Sequence, residues 1–240
     1  IVKIEQNVLK DMLQKVQFSM AQQDIRYYLN GLLLVLEGQT LRLIATDGHR
    51  LAHASTQLKS SAGDRETILP RKTVLELTKL LNDDDAMVEM NITDTQININ
   101  FNNVTLVSKL VDGKFPDYKR VIPTDLSNEL VIAKEDLQGA LQRAAILSNE
   151  KFKGVRLNLS NGELLVSANN PEQEQAEESA VVDYTGDSLE IGFNVSYMID
   201  VLNNIKTDTV KIMLADSNSS ALIEGYDDGS SLYVVMPMKL

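Results

Sequence analysis

The chain has 240 residues, 43% hydrophobic and 24% charged, the composition of a globular protein able to bury a core. It has no cysteine, which excludes disulfides and thiolate metal sites, and no apolar run reaches the roughly 18 to 20 residues of a membrane span. The net charge of −11 argues against a nucleic-acid binder, yet residues 1–120 carry 15 basic and 15 acidic side chains while residues 121–240 carry 8 and 19.

The first residues, Ile1-Val2-Lys3-Ile4-Glu5, read as a strand and not as a signal peptide, and a start at Ile suggests a piece of something longer. A helix is expected over 7–18, capped by Asn7, with Val8, Leu9, Met12, Leu13 and Val16 at helical spacing. Strands follow at 32–37 and 41–45, joined by Glu37-Gly38-Gln39-Thr40, then at 50–56. A strand around Ile68 runs directly into a second helix over 70–81. Pro70 opens that helix, and Val74, Leu75, Leu77, Leu80 and Leu81 face inward. Strands at 87–92, 96–101 and 104–110 complete the plan. Later helices are expected at 134–147 and 194–206. Asn194 caps the last, and Val195, Met198, Ile199, Leu202 and Ile205 form one stripe.

The chain repeats itself. A shift of 123 residues carries Gly31-Leu32-Leu33-Leu34-Val35-Leu36 onto Gly154-Val155-Arg156-Leu157-Asn158-Leu159, Leu41 onto Leu164, Ala45 onto Ala168 and Ile68 onto Ile191. Before Gly31 the match needs a few residues of slippage. Two copies of one fold therefore meet near Lys119–Pro123, giving domains at 1–119 and 120–240. Helices with runs of turn-linked strands indicate an α+β fold, each copy packing two helices on antiparallel sheets.

The four expected helices carry 8 bases against 5 acids, whereas the rest of the chain is net −14. Basic helices in an acidic protein suit a polyanion held against them, or simply reflect the helix propensity of Lys and Arg. In Thr46-Asp47-Gly48-His49-Arg50, Asp47 and His49 could serve as base and orienter of a hydrolase or as metal ligands, or Asp47-Gly48 could supply a turn between strands. No nucleophile elbow, phosphate loop or histidine pair at metal-ligand spacing accompanies them. The run Glu172-Gln173-Glu174-Gln175-Ala176-Glu177-Glu178 reads as a solvated loop or as an acidic face for a basic partner. At the C-terminus, Met236-Pro237-Met238 lies beyond easy strand pairing. Its two methionines suit an adaptable apolar groove or fill gaps in a core.

Longer tracts carry a resemblance. Asp24-Ile25-Arg26-Tyr27-Tyr28-Leu29-Asn30-Gly31, Ala45-Thr46-Asp47-Gly48-His49-Arg50-Leu51 and Ser108 to Tyr118 resemble the middle domain of the bacterial DNA polymerase sliding-clamp family, the β processivity subunits. Ser148 to Arg156, Ala168-Asn169-Asn170-Pro171-Glu172, Gly192 to Tyr197 and Tyr233 to Met238 resemble its last domain. The family protomer has three repeats, and this chain resembles the second and third.

The resemblance implies a non-catalytic protein of the bacterial cytoplasm and nucleoid, with no metal or cofactor. Two protomers close head to tail into a homodimeric ring whose helices surround duplex DNA without reading sequence. Partners insert a short peptide into a groove between middle and last domains. These partners are the DNA polymerase III α subunit, the clamp loader, other polymerases and repair proteins. The groove residues implied are Arg26, Leu29, Thr46, Gly48, His49, Arg50, Leu51, Pro116, Arg120 and Val121. The last domain adds Asn194, Tyr197, Ser220, Val234, Val235, Met236, Pro237, Met238 and Lys239, while Asn218 stands where the family pattern is apolar. DNA contacts fall on Gln23, Tyr27, Tyr28, Arg71 and Lys72. The ring-closing face comprises Arg143, Ile146 and Leu147 with the charged rim Glu172, Glu174, Glu177 and Glu178. Without a first repeat, the chain is expected to stay monomeric.

Overall fold

A computed structural model describes residues Ile1–Leu240, which divide into a first unit, Ile1–Tyr118, and a second, Lys119–Leu240. The first unit opens with β1 (Val2–Glu5) and α1 (Gln6–Val16), followed by 3-10 turns at Gln17–Ser19 and Tyr27–Asn30. Next come β2 (Gly31–Glu37), β3 (Thr40–Thr46), β4 (Arg50–Gln57), β5 (Arg65–Pro70), α2 (Arg71–Leu80), β6 (Met87–Ile92), β7 (Gln96–Phe101) and β8 (Val104–Lys109). All neighbouring strands of the unit pair antiparallel, in the orders β1-β6-β7-β8 and β5-β2-β3-β4. Leu9, Met12, Leu13 and Val16 of α1 and Val74 and Leu77 of α2 are buried with the inward faces of these strands.

After a short helical turn, α3 (Tyr118–Val121), the second unit runs β9 (Asn128–Ala133), α4 (Lys134–Ala145), β10 (Gly154–Ser160), β11 (Glu163–Asn169) and β12 (Gln175–Val181). It continues through β13 (Leu189–Asn194), α5 (Val195–Asn203), β14 (Thr209–Leu214), β15 (Ala221–Gly225) and β16 (Ser231–Val235). Its strand orders, β16-β15-β14-β9 and β12-β11-β10-β13, reproduce those of the first unit strand for strand. The fold is α+β, two copies of one repeat, each with two principal helices on antiparallel sheets.

The structure corrects several local expectations. Helix α1 begins one residue before Asn7, with Glu5 at the cap position and no side-chain capping bond. The reason is tertiary. The helix's first N–H groups, of Gln6 and Asn7, donate to Ala86 O and Asp84 O at 2.9 Å, and Asn7 Oδ1 accepts from Val8 N–H at 2.8 Å, so Asn7 serves an open donor from within the first turn and not from the cap position. The adjacent Gln6 side chain is fully buried. It accepts from Asn82 N and Asn102 Nδ2 and donates to Asp84 and Asn102, so its burial leaves no polar group unmet. Leu75 is only half-buried and Leu80 is exposed, because the inward stripe of α2 is Thr73, Val74, Leu77 and Thr78, and Leu81 turns inward in extended backbone. Helix α5 ends at Asn203, Ile199 is only half-buried, and Ile205 reaches the core after the chain has left the helix. The 123-residue shift also drifts. Gly31 pairs with Pro70 and Gly154 with Asn194, each partner capping the next helix, so the offset there is 124 and Ile68 matches Gly192. The acidic run enters β12 at Gln175 and is not wholly a loop.

Candidate functional site

In the first unit the implied binding residues sit on two short segments that organise themselves. Asp24 exchanges hydrogen bonds with Asn30, which fixes the loop ends, and then grips Arg26 through Nε at 3.0 Å and Nη2 at 2.9 Å. The Arg26 side chain and backbone N–H hold the Asp24 carboxyl down to about 2. The guanidinium thus fixed lies over Gly48, where a Cβ would meet Nη1 at 3.2 Å; with φ at +90°, that backbone also favours glycine. Leu29 is buried beneath, its N–H donating to Arg26 O.

The second segment is the β3–β4 turn. The Asp47 carboxylate accepts from the backbone of His49 at 2.9 Å and of Arg50 at 3.1 Å, and from Arg50 Nε at 3.1 Å. Thr46 Oγ1 donates to Arg50 O at 2.7 Å and accepts from Gly48 N. Arg50 continues to Phe18, donating to its carbonyl at 3.0 Å and lying 5.5 Å from its ring centroid. The turn leaves His49 exposed and Leu51 buried. His53, the other histidine, is mostly buried near Tyr118, and burial followed by the Arg42 charge lowers it to about 4. Pro116 is exposed.

In the second unit Arg120 is exposed and Val121 half-buried. Asn194 caps α5, its Oδ1 accepting from Ser196 and Tyr197 N–H groups at 2.9 and 3.4 Å. Asp216 accepts from Asn218 N at 2.8 Å in the loop leading to half-buried Ser220, and this bond lowers its pKa. Val234 and Val235 are buried at the end of β16, and the chain surfaces at Met236, 43% exposed. Pro237 and Met238 are half-buried and Lys239 is exposed.

Of the residues implied for DNA, Gln23 holds a left-handed φ of 57° in an exposed loop, and Tyr27 and Tyr28 meet edge to face at 5.7 Å. Gly113 lets the Tyr27 ring approach, since a Cβ there would stand 3.3 Å from it. Arg71 reaches Ala21 O at 3.4 Å, while Lys72 is exposed on α2. On the last group, Ile146 is 78% exposed just past α4, Leu147 is half-buried, and Arg143 pairs with Glu178 at 2.9 Å. Glu172, Glu174 and Glu177 are exposed on the neighbouring hairpin. Sequence reasoning missed Asp24, Asn30 and Phe18 as supports. The Asp-x-Arg spacing was the one signal for the first, because an Asx-type turn brings such side chains together. No group of His, Asp or Glu stands where it could hold a metal ion. No helix is long and apolar enough to cross a membrane.

Two copies of one two-helix α+β repeat are the architecture of DNA clamps. Residues 3–117 match the family model of the DNA polymerase III beta subunit, central domain, and residues 119–239 that of its C-terminal domain. The chain belongs to the DNA polymerase III beta subunit family. It is 50% identical over 239 residues to the Beta sliding clamp of Vibrio cholerae and 52% identical over 238 to that of Pseudomonas aeruginosa. These matches cover 100% and 99% of this chain and 65% of each relative, so the chain spans less than two thirds of their length. A crystal structure of the Pseudomonas aeruginosa DNA polymerase sliding clamp matches with a TM-score of 0.97 at 51% identity, over 99% of this chain and 65% of that one. The Bartonella birtlesii sliding clamp bound to griselimycin matches at 0.94 and 37%, with the same coverage.

Proposed function

We propose that this chain supplies the second and third repeats of a DNA sliding clamp, a binding ring without catalytic chemistry that acts in the bacterial cytoplasm at the nucleoid. The observation that carries the reading is the pair of complete clamp repeats, about half identical to Beta sliding clamps along the whole chain. In the whole protein two protomers close head to tail, a heterologous contact made twice. Helices then face duplex DNA, with Gln23, Tyr27, Tyr28, Arg71 and Lys72 among the contacts. Holding DNA without reading it needs only phosphate-directed and water-bridged contacts, which suits the exposed or half-buried amide, hydroxyls and cations at these positions.

The peptide-binding set receives a short, partly apolar segment from polymerases, the clamp loader and repair proteins. In the first unit Arg26 and His49 offer polar groups, with Arg50 held by Asp47 and Phe18, and in the second unit Met236 and Met238 offer an adaptable apolar surface. Leu29 in the first unit and Val234 and Val235 in the second are too buried to offer much surface. The reading of Asp47 and His49 as a hydrolase pair is disfavoured by the Asp47 carboxylate, which already takes three donors of its own turn.

The test is a calorimetric titration with a peptide carrying a polymerase's clamp-binding motif. Binding is expected, and Met236→Ala should weaken it severalfold or more while the fold survives, as for an anchor worth about 2 kcal/mol. Absence of binding, or affinity indifferent to Met236, rejects the assignment.

A further inference from the structure

Strand β16 ends at Val235, yet Met238 and Leu240 beyond it are seated on the sheet formed by β10 and β13. Met238 donates its N–H to Gly192 O at 2.8 Å, and Leu240 lies over Gly154. A Cβ at Gly154 would stand 2.3 Å from Leu240 Cδ2, and one at Gly192 would stand 2.6 Å from the Met238 carbonyl oxygen. Neither position can carry a side chain unless the tail moves.

The seated tail has a second side. Met238, Lys239 and Leu240 form one wall of a cleft of about 600 Å³ that lies wholly within the second unit. Phe152, Asn169 and Gln175 also line it, together with Glu177 of the acidic rim. Phe152 and Leu240 are 56% and 55% exposed, so two large apolar side chains border this cleft in water. Phe152 is not loosely held. Its N–H donates to Asn149 Oδ1 at 3.0 Å, and Lys153 N–H donates to Asn149 O at 2.7 Å. The one guanidinium in the lining, that of Arg156, is already met by Glu190 at 2.9 Å.

We propose that this cleft extends the peptide site, taking the stretch of a partner that flanks its anchor motif. An apolar side chain packs between Phe152 and Leu240, and the Asn169 and Gln175 amides bond the partner's main chain. The inference rests on the peptide-binding reading above. Three observations select a peptide. Met238 and Lys239 belong both to the peptide-binding set and to the cleft, so a chain leaving one enters the other across the tail. Amide side chains offer a donor and an acceptor each, which matches a main chain and not a compact ion. The volume lies in the range of small-ligand sites, far short of what a folded partner needs.

Fluorescence anisotropy on the intact chain tests this with a labelled motif-only peptide and versions extended by several native residues at either end. One extended peptide should bind about fivefold tighter, the worth of one additional partly buried apolar side chain. Phe152→Ala and Leu240→Ala should each remove that gain and leave the motif-only affinity unchanged. Equal affinities for all peptides overturn the proposal, as does a gain that survives both substitutions. A Phe152→Ala defect confined to ring closure of the full-length protein gives the cleft to another occupant and overturns it too. If the motif-only peptide fails to bind, the underlying peptide-site reading falls first and the extension with it.

Discussion

Asp47→Ala removes the acceptor on which the β3–β4 turn is built. Three bonds go, from the backbone N–H groups of His49 and Arg50 and from Arg50 Nε. The Asp47 and Arg50 side chains are only 16% and 13% exposed, so water replaces these bonds poorly. Bonds to a charged acceptor are worth about 1.5–3 kcal/mol each, but they are not additive within one turn, and a total near 3 kcal/mol is expected. Asp47→Asn is the control. It keeps an oxygen for the two backbone donors and loses the ion pair, which should cost about 1 kcal/mol. Urea unfolding of the three proteins measures both values, and peptide titration of the same samples reads the turn's role in binding. The strands themselves should survive, because Ile44, Ala45 and Leu51 stay buried on either side of the turn. A loss below about 0.5 kcal/mol for Asp47→Ala would refute the view that this carboxylate holds the turn.

Burial keeps His53 neutral in the folded chain, with its pKa near 4 against 6.5 for the exposed imidazole of an unfolded chain. Its contribution is therefore complete above pH 6.5 and is lost as pH falls through 4, by up to about 3 kcal/mol; thermal unfolding against pH should flatten over that window in His53→Phe. The depressed carboxyl of Asp24 acts lower, its share lost only as pH falls from 3.8 through about 2. Sedimentation should find the chain monomeric at micromolar concentration, with Ile146→Ala plus Leu147→Ala abolishing capture of a separately made first repeat; a tight, salt-insensitive dimer of this chain alone would contradict the ring-closing assignment. Binding to duplex DNA should be weak, sequence-independent and steeply reduced between low and physiological salt, and a salt-indifferent affinity in filter binding would contradict the proposed contacts.

Periodicity and capping residues specify most of the elements because their causes are local. Val74 and Leu77 are three apart on one helical face, and Asn194 caps α5 through bonds to residues two and three ahead. The internal repeat is visible for a related reason, since each copy must bury the same inward faces of the same strands, as at Leu41 and Leu164. Its drift to 124 residues before α5 is not visible, because strand register is set by pairing between Gly154 and Asn194, 40 positions apart. Asn7 reads as a cap in sequence, but carbonyls of Ala86 and Asp84, far along the chain, receive the N–H groups of Gln6 and Asn7 and let the helix start one residue earlier, which leaves Asn7 inside the first turn. The candidate site shows the same division. Asp47-Gly48 announces a turn by composition, whereas Phe18 beneath Arg50 lies 32 residues away in sequence. The path of the tail depends on Gly154 and Gly192 having no side chains where Leu240 and Met238 arrive. A glycine in a strand announces only that something passes close by; what passes is decided when the chain has folded back on itself.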